Sequence, residues 1–539
     1  MFFDKKPTST RTAIAMGIFI GAVLGLMINS PILGMIIGGI IGNNIGKKIQ
    51  GGEFKKHKKE KIINAPMKKK FPKPGLNAII TLIIIFILIY VFRPWFHGFF
   101  MGFYRYPLLV FFVLFAILGA IFFQQRNVNA GSFFVALAVV SMLGLFFHDI
   151  ILERYIVQDT EYNKIEALPD TTEVRILPKA VARRYLEDSL QKSREKIGGL
   201  DIVNIDGKPV WTAPRIPDGF ILFFTQKVNG LMIADITKTD RVTRIETQTL
   251  EVGEGIGLFD NIYWNLFKKK YFIDIDEIYY IMHEDRIKTV APVVGYKFKF
   301  PVMMPYFKGV FVVDEGGSIQ FYTPAETKVA KVFEGNWVYP ESLARLYVDS
   351  YKFHLGIMNT WFLHEDQIEI SDVYGQSNKQ PFLMPTEDGL KWIIATEPWG
   401  ESYGVFKIFL VDALTGKIEM IEMDEEKTLT GPVRVVSYVK KKFPIIDWAT
   451  ASVIEPRPYV IDGNLYWELS ITPRDFAGIS YTVFVNSMNN EVLAFEDDEG
   501  VYAFVTGEKV VQVNITEEES VNEKIRQIEA LLEELKVMV

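Results

Sequence analysis

Uninterrupted apolar segments in the first 150 residues constrain the fold more than any other feature of the chain. The segments are Thr12–Ile28, Ile32–Gly46, Leu76–Phe92, Pro107–Phe123 and Ala130–Phe147, and none contains a charged residue. The longest reach 17 or 18 residues, the short end of what an α-helix needs to cross a bilayer. No small-residue cleavage site follows the first segment, unlike a cleaved signal peptide. The sequence therefore predicts an N-terminal α-helical membrane block of about five hydrophobic segments.

Glycines recur every four residues within the first two apolar segments. One row consists of Gly17, Gly21 and Gly25, and the other of Gly34, Gly38, Gly42 and Gly46. This spacing places each row on one helix face, where the missing side chains let two backbones approach closely. The two segments resemble the glycine-zipper two-helix segments of bacterial envelope proteins. The resemblance implies helix packing by these glycines, either within one hairpin or between several copies of the chain.

A basic loop, Lys47–Gly75, separates these two segments from the next three. It holds 11 Lys against two Glu, so we expect it to be cytoplasmic and to bind anionic lipid headgroups. Three spans then follow it. The sequence therefore predicts a multi-pass protein of the cell membrane, with a cytoplasmic N-terminus and an extracytoplasmic domain after Phe147.

The membrane block and the rest of the chain carry net charges of opposite sign. Residues 1–150 contain 17 Lys and Arg against 4 Asp and Glu, a net of +13. Since the whole chain carries −6, the remaining residues carry −19. An acidic soluble part lacks the positive surface on which nucleic-acid binding depends. Nucleic acid is therefore excluded as an expected partner.

The soluble part contains an internal repeat with an offset of 74 residues. In each copy an Asp-Gly turn precedes a tryptophan, and a Val-Asp or Val-Asn pair has its polar residue 24 positions after the first Asp. The signature residues are Asp388, Trp392, Asp412 and Gly416 in one copy and Asp462, Trp467 and Asn486 in the next. Asp206 opens a looser copy, and Phe311–Ile319 belongs to a partial one. Asp-Gly is typical of β-hairpin turns, so each copy is expected to be an antiparallel meander.

Amphipathic helices are expected before three of these copies. Prolines at 178 and 340 open two of them, as is usual at a helix start, and Val433–Lys442 is the third. The pattern from Asp412 to Ile418 resembles the PepSY-type and cystatin-like modules of bacterial envelope proteins. This resemblance implies an α+β fold in which each module packs a helix on an antiparallel sheet.

The apolar segments, the basic loop and the repeats together predict the domain organisation of the chain. A C-terminal helix, Thr516–Val539, carries an apolar stripe suited to packing on its own domain or to coiled-coil association. The predicted parts are the N-terminus and glycine-zipper hairpin at 1–46, the basic loop at 47–75, three transmembrane helices at 76–150, four modules at 151–250, 251–335, 336–425 and 426–505, and a C-terminal strand and helix at 506–539.

No motif in the sequence indicates a catalytic, cofactor-binding or metal-binding site. The chain has no cysteine, which excludes disulfides and thiolate sites and is common among exported domains of Gram-positive bacteria. No catalytic, cofactor-binding or metal-binding residue is predicted, and no cofactor is expected. The sequence predicts a non-enzymatic envelope protein whose modules bind or scaffold a partner, which could be a cell-wall polymer, a peptide or another protein. A homo-oligomer of this chain is also expected. The alternative is an oligomeric subunit of an envelope channel or transfer complex, of the secretion, conjugation or phage-related kind.

Overall fold

The computed structural model describes residues 84, 87–190, 194–373, 379–400, 404–423 and 429–507. The predicted glycine-zipper hairpin, the basic loop and the C-terminal helix lie outside these residues. The chain divides into two compact units, Met1–Tyr104 and Arg105–Val539. The described end of the first unit contains a 3-10 helix, Arg93–Phe96, and then helix α1, His97–Arg105, except for its last residue.

Two helices of the second unit are long and apolar enough to cross a membrane. They are α2, Pro107–Gln124, and α3, Val128–Phe146. The two helices pack closely, since a Cβ added to Gly131 of α3 would come within 2.9 Å of the Phe123 ring of α2. Apolar side chains along their outer faces are more than half exposed, among them Ile117. An apolar helix that leaves such side chains uncovered is unlike the buried helix of a soluble core.

The expectation of about five spanning segments is not met by the described residues, which contain two such helices. The first two segments lie outside the described part of the chain, as does most of Leu76–Phe92. Where the end of this third segment is described, the α-helix stops before Phe92 and the chain turns through Arg93–Phe96. Pro94 explains the change, because it has no backbone N–H with which to continue an α-helix.

Helix α4, His148–Asp159, follows α3 after a break at Phe147. The chain from Thr160 to Pro178, which we call the connector, then crosses strands that come much later in the sequence. Its strand β1, Tyr162–Lys164, pairs in parallel with residues 418–420. Further along, the Thr171 N–H donates to the Val460 carbonyl at 3.0 Å. The connector therefore bridges two of the sheets described next.

Four helix-and-sheet sets follow the connector, and we call each one a module. The first contains α5 (Lys179–Ser189), β2 (Glu195–Ile197), β3 (Asp201–Ile205), β4 (Lys208–Pro217), the short helix α6 (Phe220–Thr225), β5 (Leu231–Asp235) and β6 (Thr243–Glu246). The second contains α7 (Ile262–Lys269), β7 (Asp274–Ile275), β8 (Tyr279–His283), β9 (Arg286–Lys299), β10 (Val302–Val313) and β11 (Ile319–Tyr322). A short helix, α8 (Pro324–Thr327), leads out of the second module.

The third and fourth modules follow the same plan. The third contains α9 (Glu341–Asp349), β12 (Ile368–Ile370), β13 (Phe382–Thr386), β14 (Gly389–Pro398), β15 (Gly404–Val405), β16 (Lys407–Asp412) and β17 (Ile418–Glu422). After β18 (Leu429–Thr430), which pairs with β15, the fourth contains α10 (Pro432–Lys442), β19 (Ala451–Ile461), β20 (Asn464–Pro473), β21 (Tyr481–Asn486), β22 (Val492–Phe495) and α11 (Asp498–Val505). Helices combined with antiparallel meanders are consistent with the predicted α+β class. The residue boundaries predicted for the modules remain predictions.

The sheet of the third module is buried on both faces, because alternate residues of a strand point to opposite sides. Trp392 and Ile394 of β14 belong to the core that contains Leu343 of α9. Their neighbours Ile393 and Ala395 belong to a second core, which contains Val435 and Val439 of α10. The third sheet therefore lies between the helix of its own module and the helix of the next. This stacking joins the third and fourth modules through a continuous apolar layer.

Candidate functional site

A buried tryptophan ties the sheet to the start of the helix in three of the modules. Each indole Nε1–H donates to the carbonyl of the residue two positions before the helix begins. The bonds are Trp211 to Leu177 (2.9 Å), Trp392 to Tyr339 (3.1 Å) and Trp467 to Thr430 (2.7 Å). The predicted signature residues Trp392 and Trp467 thus occupy equivalent places. The second module has no tryptophan at the corresponding position, four residues after its hairpin turn at Glu284 and Asp285. Buried Thr289 occupies this position.

The polar residue at the end of the penultimate strand organises the following turn. Oδ1 of Asp412 accepts from the N–H groups of Leu414 (3.1 Å) and Thr415 (2.7 Å). Oδ1 of Asn486 accepts from Met488 (2.9 Å) and Asn489 (3.2 Å) in the same way. Such side-chain bonds to the backbone two and three residues on are the normal role of Asp and Asn in turns. The signature residues therefore shape the turn backbone.

In each of these turns, the backbone carbonyl of the residue after the Asp or Asn accepts hydrogen bonds from the segment just before the helix. The Ala413 carbonyl accepts from the N–H groups of Val338 and Tyr339, both at 2.8 Å. Its counterparts are the Ile236 carbonyl, which accepts from Ile176 and Leu177, and the Ser487 carbonyl, which accepts from Thr430. Gly416 closes the turn with φ +78°, and a Cβ there would collide with the ring of Tyr339. Glycine is therefore required at Gly416 both by the backbone angle and by the space.

The hairpin turns bring the remaining signature residues to the same end of each sheet. Asp462 (φ +49°) and Gly463 (φ +71°) form the turn between β19 and β20, with both residues in the left-handed region, as a type I′ hairpin needs. Glu387 and Asp388 connect β13 and β14, and Gly389, the first residue of β14, has φ +109°. Each module thus gathers its hairpin turn and its Asp or Asn turn at one edge.

The first candidate binding cavity opens at this edge of the third module. Its volume is about 520 Å³, and Asp388, Leu390, Asp412 and Leu414 form one wall. The other walls come from the connector at 172–175, from strand β3 of the first module and from the segment 327–336. The cavity therefore lies where the first module, the third module and the connector meet.

The second candidate cavity opens at the equivalent edge of the fourth module. Its volume is about 400 Å³, and Gly463, Leu465, Asn486 and Met488 form one wall. These positions correspond to the turn residues that line the first cavity. The connector contributes again, here through Ile165–Leu168, and the end of β17 completes the lining. The repeat thus produces two related cavities, both bordered by the same connector.

Arg175 is the most buried charged group at the first cavity. Its side chain donates to the Leu383 carbonyl and lies 3.8 Å from the Glu173 carboxylate. Burial lowers the pKa of the Arg175 guanidinium to about 10, so the side chain is a cation at neutral pH. Lys328, Lys331 and Asp388 also line the cavity. The lining therefore combines both signs of charge with backbone and apolar surface.

The two cavities differ in charge, since the first is lined by Arg175, Lys328 and Lys331 as well as carboxylates, whereas the charged residues that line the second are Glu166 and Glu422. No histidine is among the described residues that line either cavity. Across the described part of the chain, no group of three or more His, Asp or Glu side chains is placed to hold a metal ion. Sequence reasoning found the turn residues but missed the connector residues Glu173 and Arg175. No local pattern marks the connector, because its partners lie more than 200 residues away.

No protein-family model matches the chain, and no curated protein matches it with significance.

Proposed function

We propose that this chain is a membrane-anchored, non-enzymatic envelope protein whose extracytoplasmic PepSY-like modules bind an extended peptide segment of a partner protein. Helices α2 and α3 would provide the anchor, since both have the length and composition of membrane spans. The acidic, cysteine-free remainder of the chain fits an exported domain. The anchor would hold the modules at the membrane surface, where a partner in the envelope can reach them.

The observation that carries this proposal is the repetition of one cavity at the same edge of two modules. Turns formed by Asp412 and Asn486 line the two cavities in corresponding places. A polypeptide with repeated features can occupy two related cavities at once, which raises its affinity through effective concentration. The mixed charge around Arg175 and Asp388 supports a peptide ligand over a uniformly charged polymer.

A cavity-filling substitution tests the proposal. We would select binding peptides from a displayed library against the full chain in lipid nanodiscs, and then measure their affinities for two variants. Ala330→Trp places a large ring among residues that line the first cavity. Val242→Trp makes the matched change at a half-exposed position outside both cavities. We expect Ala330→Trp to weaken binding by at least about tenfold, which is ~1.4 kcal/mol.

Three outcomes would contradict this proposal. Peptides that bind both variants with the affinity of the unmodified chain would place the binding surface elsewhere. Failure to select any peptide, with the protein folded and embedded in the nanodisc, would exclude peptides as the ligand class. A stable oligomer in detergent, with the cavities covered by neighbouring copies, would favour assembly of this chain with itself.

A further inference from the structure

An exposed apolar surface lies beside the end of helix α3. We call it the apolar patch, and it consists of Leu355, Met358, Trp361, Phe362 and Leu363. Their exposed fractions are 50%, 67%, 44%, 66% and 71%. Three of these residues belong to a π-helix, Asn359–Leu363. A contiguous group of exposed large apolar side chains usually marks a surface that contacts a partner or a membrane.

The polar groups of the same segment point inward and are paired. Asn359 is buried and forms two hydrogen bonds with the Glu365 backbone, at 2.7 and 3.1 Å. The Thr360 hydroxyl donates to the carbonyls of Lys352 (3.0 Å) and Gly356 (3.2 Å). These polar side chains therefore pair with backbone groups inside the segment while apolar side chains cover its outside. This arrangement is the reverse of a water-facing loop, and it suits an apolar environment.

The patch is attached to the helices that lead out of the candidate membrane hairpin. Trp361 is in ring contact with Phe147, at the break between α3 and α4, with ring centroids 6.2 Å apart. Arg154 of α4 donates to the carbonyls of Phe353 (2.9 Å) and His354 (3.2 Å), just before the patch. The patch is thus continuous with the end of α3, at the level where a bilayer around α3 would meet water.

We propose that the apolar patch inserts into the lipid bilayer and seats the modules on the membrane surface. Trp361 has the position and chemistry of an interfacial aromatic anchor, and the neighbouring Phe362 and Leu363 enter the boundary between headgroups and acyl chains. This inference rests on the proposal that α2 and α3 cross the membrane. The patch then acts as a second contact with lipid, which fixes the orientation of the modules relative to the anchor.

Single-cysteine labelling tests the proposal directly, because the chain has no cysteine of its own. Nitroxide labels would be placed on Phe362→Cys and Leu363→Cys in the full chain, reconstituted in vesicles of phosphatidylcholine and phosphatidylglycerol. Ile445→Cys, at an exposed apolar residue of the fourth module, is the matched control. Ile117→Cys, in the middle of α2, reports whether the anchor lies in lipid. Collisions of each label with oxygen, which concentrates in lipid, and with a water-soluble nickel complex would be measured by electron paramagnetic resonance.

The labels on the patch are expected to lose access to the nickel complex and to gain access to oxygen, relative to the label at Ile445. If they keep nickel access equal to that at Ile445 while the label at Ile117 is in lipid, the patch proposal is wrong and the anchor proposal stands. A label at Ile117 with full nickel access would instead overturn the anchor. Loss of access to both reagents at the patch would mean that another protein surface, such as a second copy of this chain, covers it.

Discussion

At the scale of single residues, the tryptophan of each repeat has two functions. Its ring fills the space between sheet and helix, and its N–H pairs with a carbonyl just outside the helix. Trp467 is fully buried, so losing the N–H would leave the Thr430 carbonyl without this donor. The penalty for an unpaired buried polar group is larger than the net gain from forming the bond. The indole is therefore more constrained at this position than its apolar volume alone requires.

Replacing Trp467 with Phe separates these two functions. Phe retains most of the apolar ring but cannot donate to Thr430, so we expect the fourth module to be destabilised by ~1–3 kcal/mol. Trp467→Ala also loses the packing and should cost ~3–5 kcal/mol. Hydrogen exchange measured by mass spectrometry should show faster exchange in β19–β21 and little change in β3–β5. Equal exchange in Trp467→Phe and the unmodified chain would show that the hydrogen bond contributes nothing.

A cluster of carboxylates at the junction of three modules makes stability depend on pH. Burial, together with the nearby carboxylates of Glu277 and Asp276, raises the pKa of Glu341 to about 8. The folded chain therefore binds this proton more tightly than the unfolded chain, whose Glu has an ordinary pKa near 4.5. The stability that protonation contributes is complete below pH 4.5 and is lost as the pH rises to about 8.

Glu341→Gln should reduce this pH dependence, because glutamine cannot ionise. We expect its melting temperature in detergent to fall less than that of the unmodified chain between pH 5 and pH 9. Glu491→Gln, an exposed change in the fourth module, serves as the control and should follow the unmodified chain. If the melting temperature of Glu341→Gln shifts with pH in parallel with that of the unmodified chain, Glu341 is not a cause of the pH dependence.

At the scale of elements, helix α4 joins the candidate membrane hairpin to the modules through ionic and polar contacts. Glu153 lies 2.9 Å from the Lys352 ammonium, with both side chains largely buried. Arg154, the next residue, donates to the Phe353 and His354 carbonyls. The two contacts hold residues 352–354 of the third module against the helix. Movement of α4 is therefore transmitted to the third module.

Arg154→Ala should loosen the segment that follows these carbonyls. We expect faster hydrogen exchange in residues 350–366 of the variant, because two backbone carbonyls lose the Arg154 guanidinium as a donor. Arg183→Ala is the matched control, since Arg183 is partly exposed, lies in α5 outside this segment, and makes only long contacts, a 4.0 Å ion pair with Glu187 and a 3.5 Å hydrogen bond to the Gly198 carbonyl. An unchanged exchange rate at 350–366 in Arg154→Ala would show that packing alone fixes the segment.

The elements also show how far sequence reasoning extends. The Asp-Gly pairs predicted hairpin turns, which the structure has at Asp206-Gly207 and Asp462-Gly463, whereas the third turn is displaced by one residue to Glu387-Asp388. The helix predicted at Val433–Lys442 is present as Pro432–Lys442. These features depend on residues close together in sequence, so local rules suffice. The cavities and the connector depend on pairings such as Tyr162 with Ile418. No short pattern encodes such pairings, and a three-residue parallel strand has too little periodicity to be recognised.

At the scale of the whole molecule, the orientation across the membrane remains a prediction from charge. The loop Lys47–Gly75 carries 11 Lys and should stay in the cytoplasm. A reporter that is active only in the cytoplasm is expected to be active when it is inserted in this loop. A reporter that is active only outside the cytoplasm is expected to be active when it is fused after Val539. Protease added to sealed cells should digest the modules. Complete protection of the modules would reverse the predicted topology.

The path of the connector has a consequence for biosynthesis. Strand β1 leaves the ribosome about 250 residues before the strand with which it pairs. At a synthesis rate of about 5–20 residues per second, this partner arrives roughly 13–50 s later. During that interval strand β1 is tethered to the candidate membrane helices with its partner strand missing, while the first and second modules are being synthesised. Strand β1 can therefore pair only after the third module has been synthesised. A chain truncated before Ile418 would leave this strand exposed to cellular proteases and chaperones.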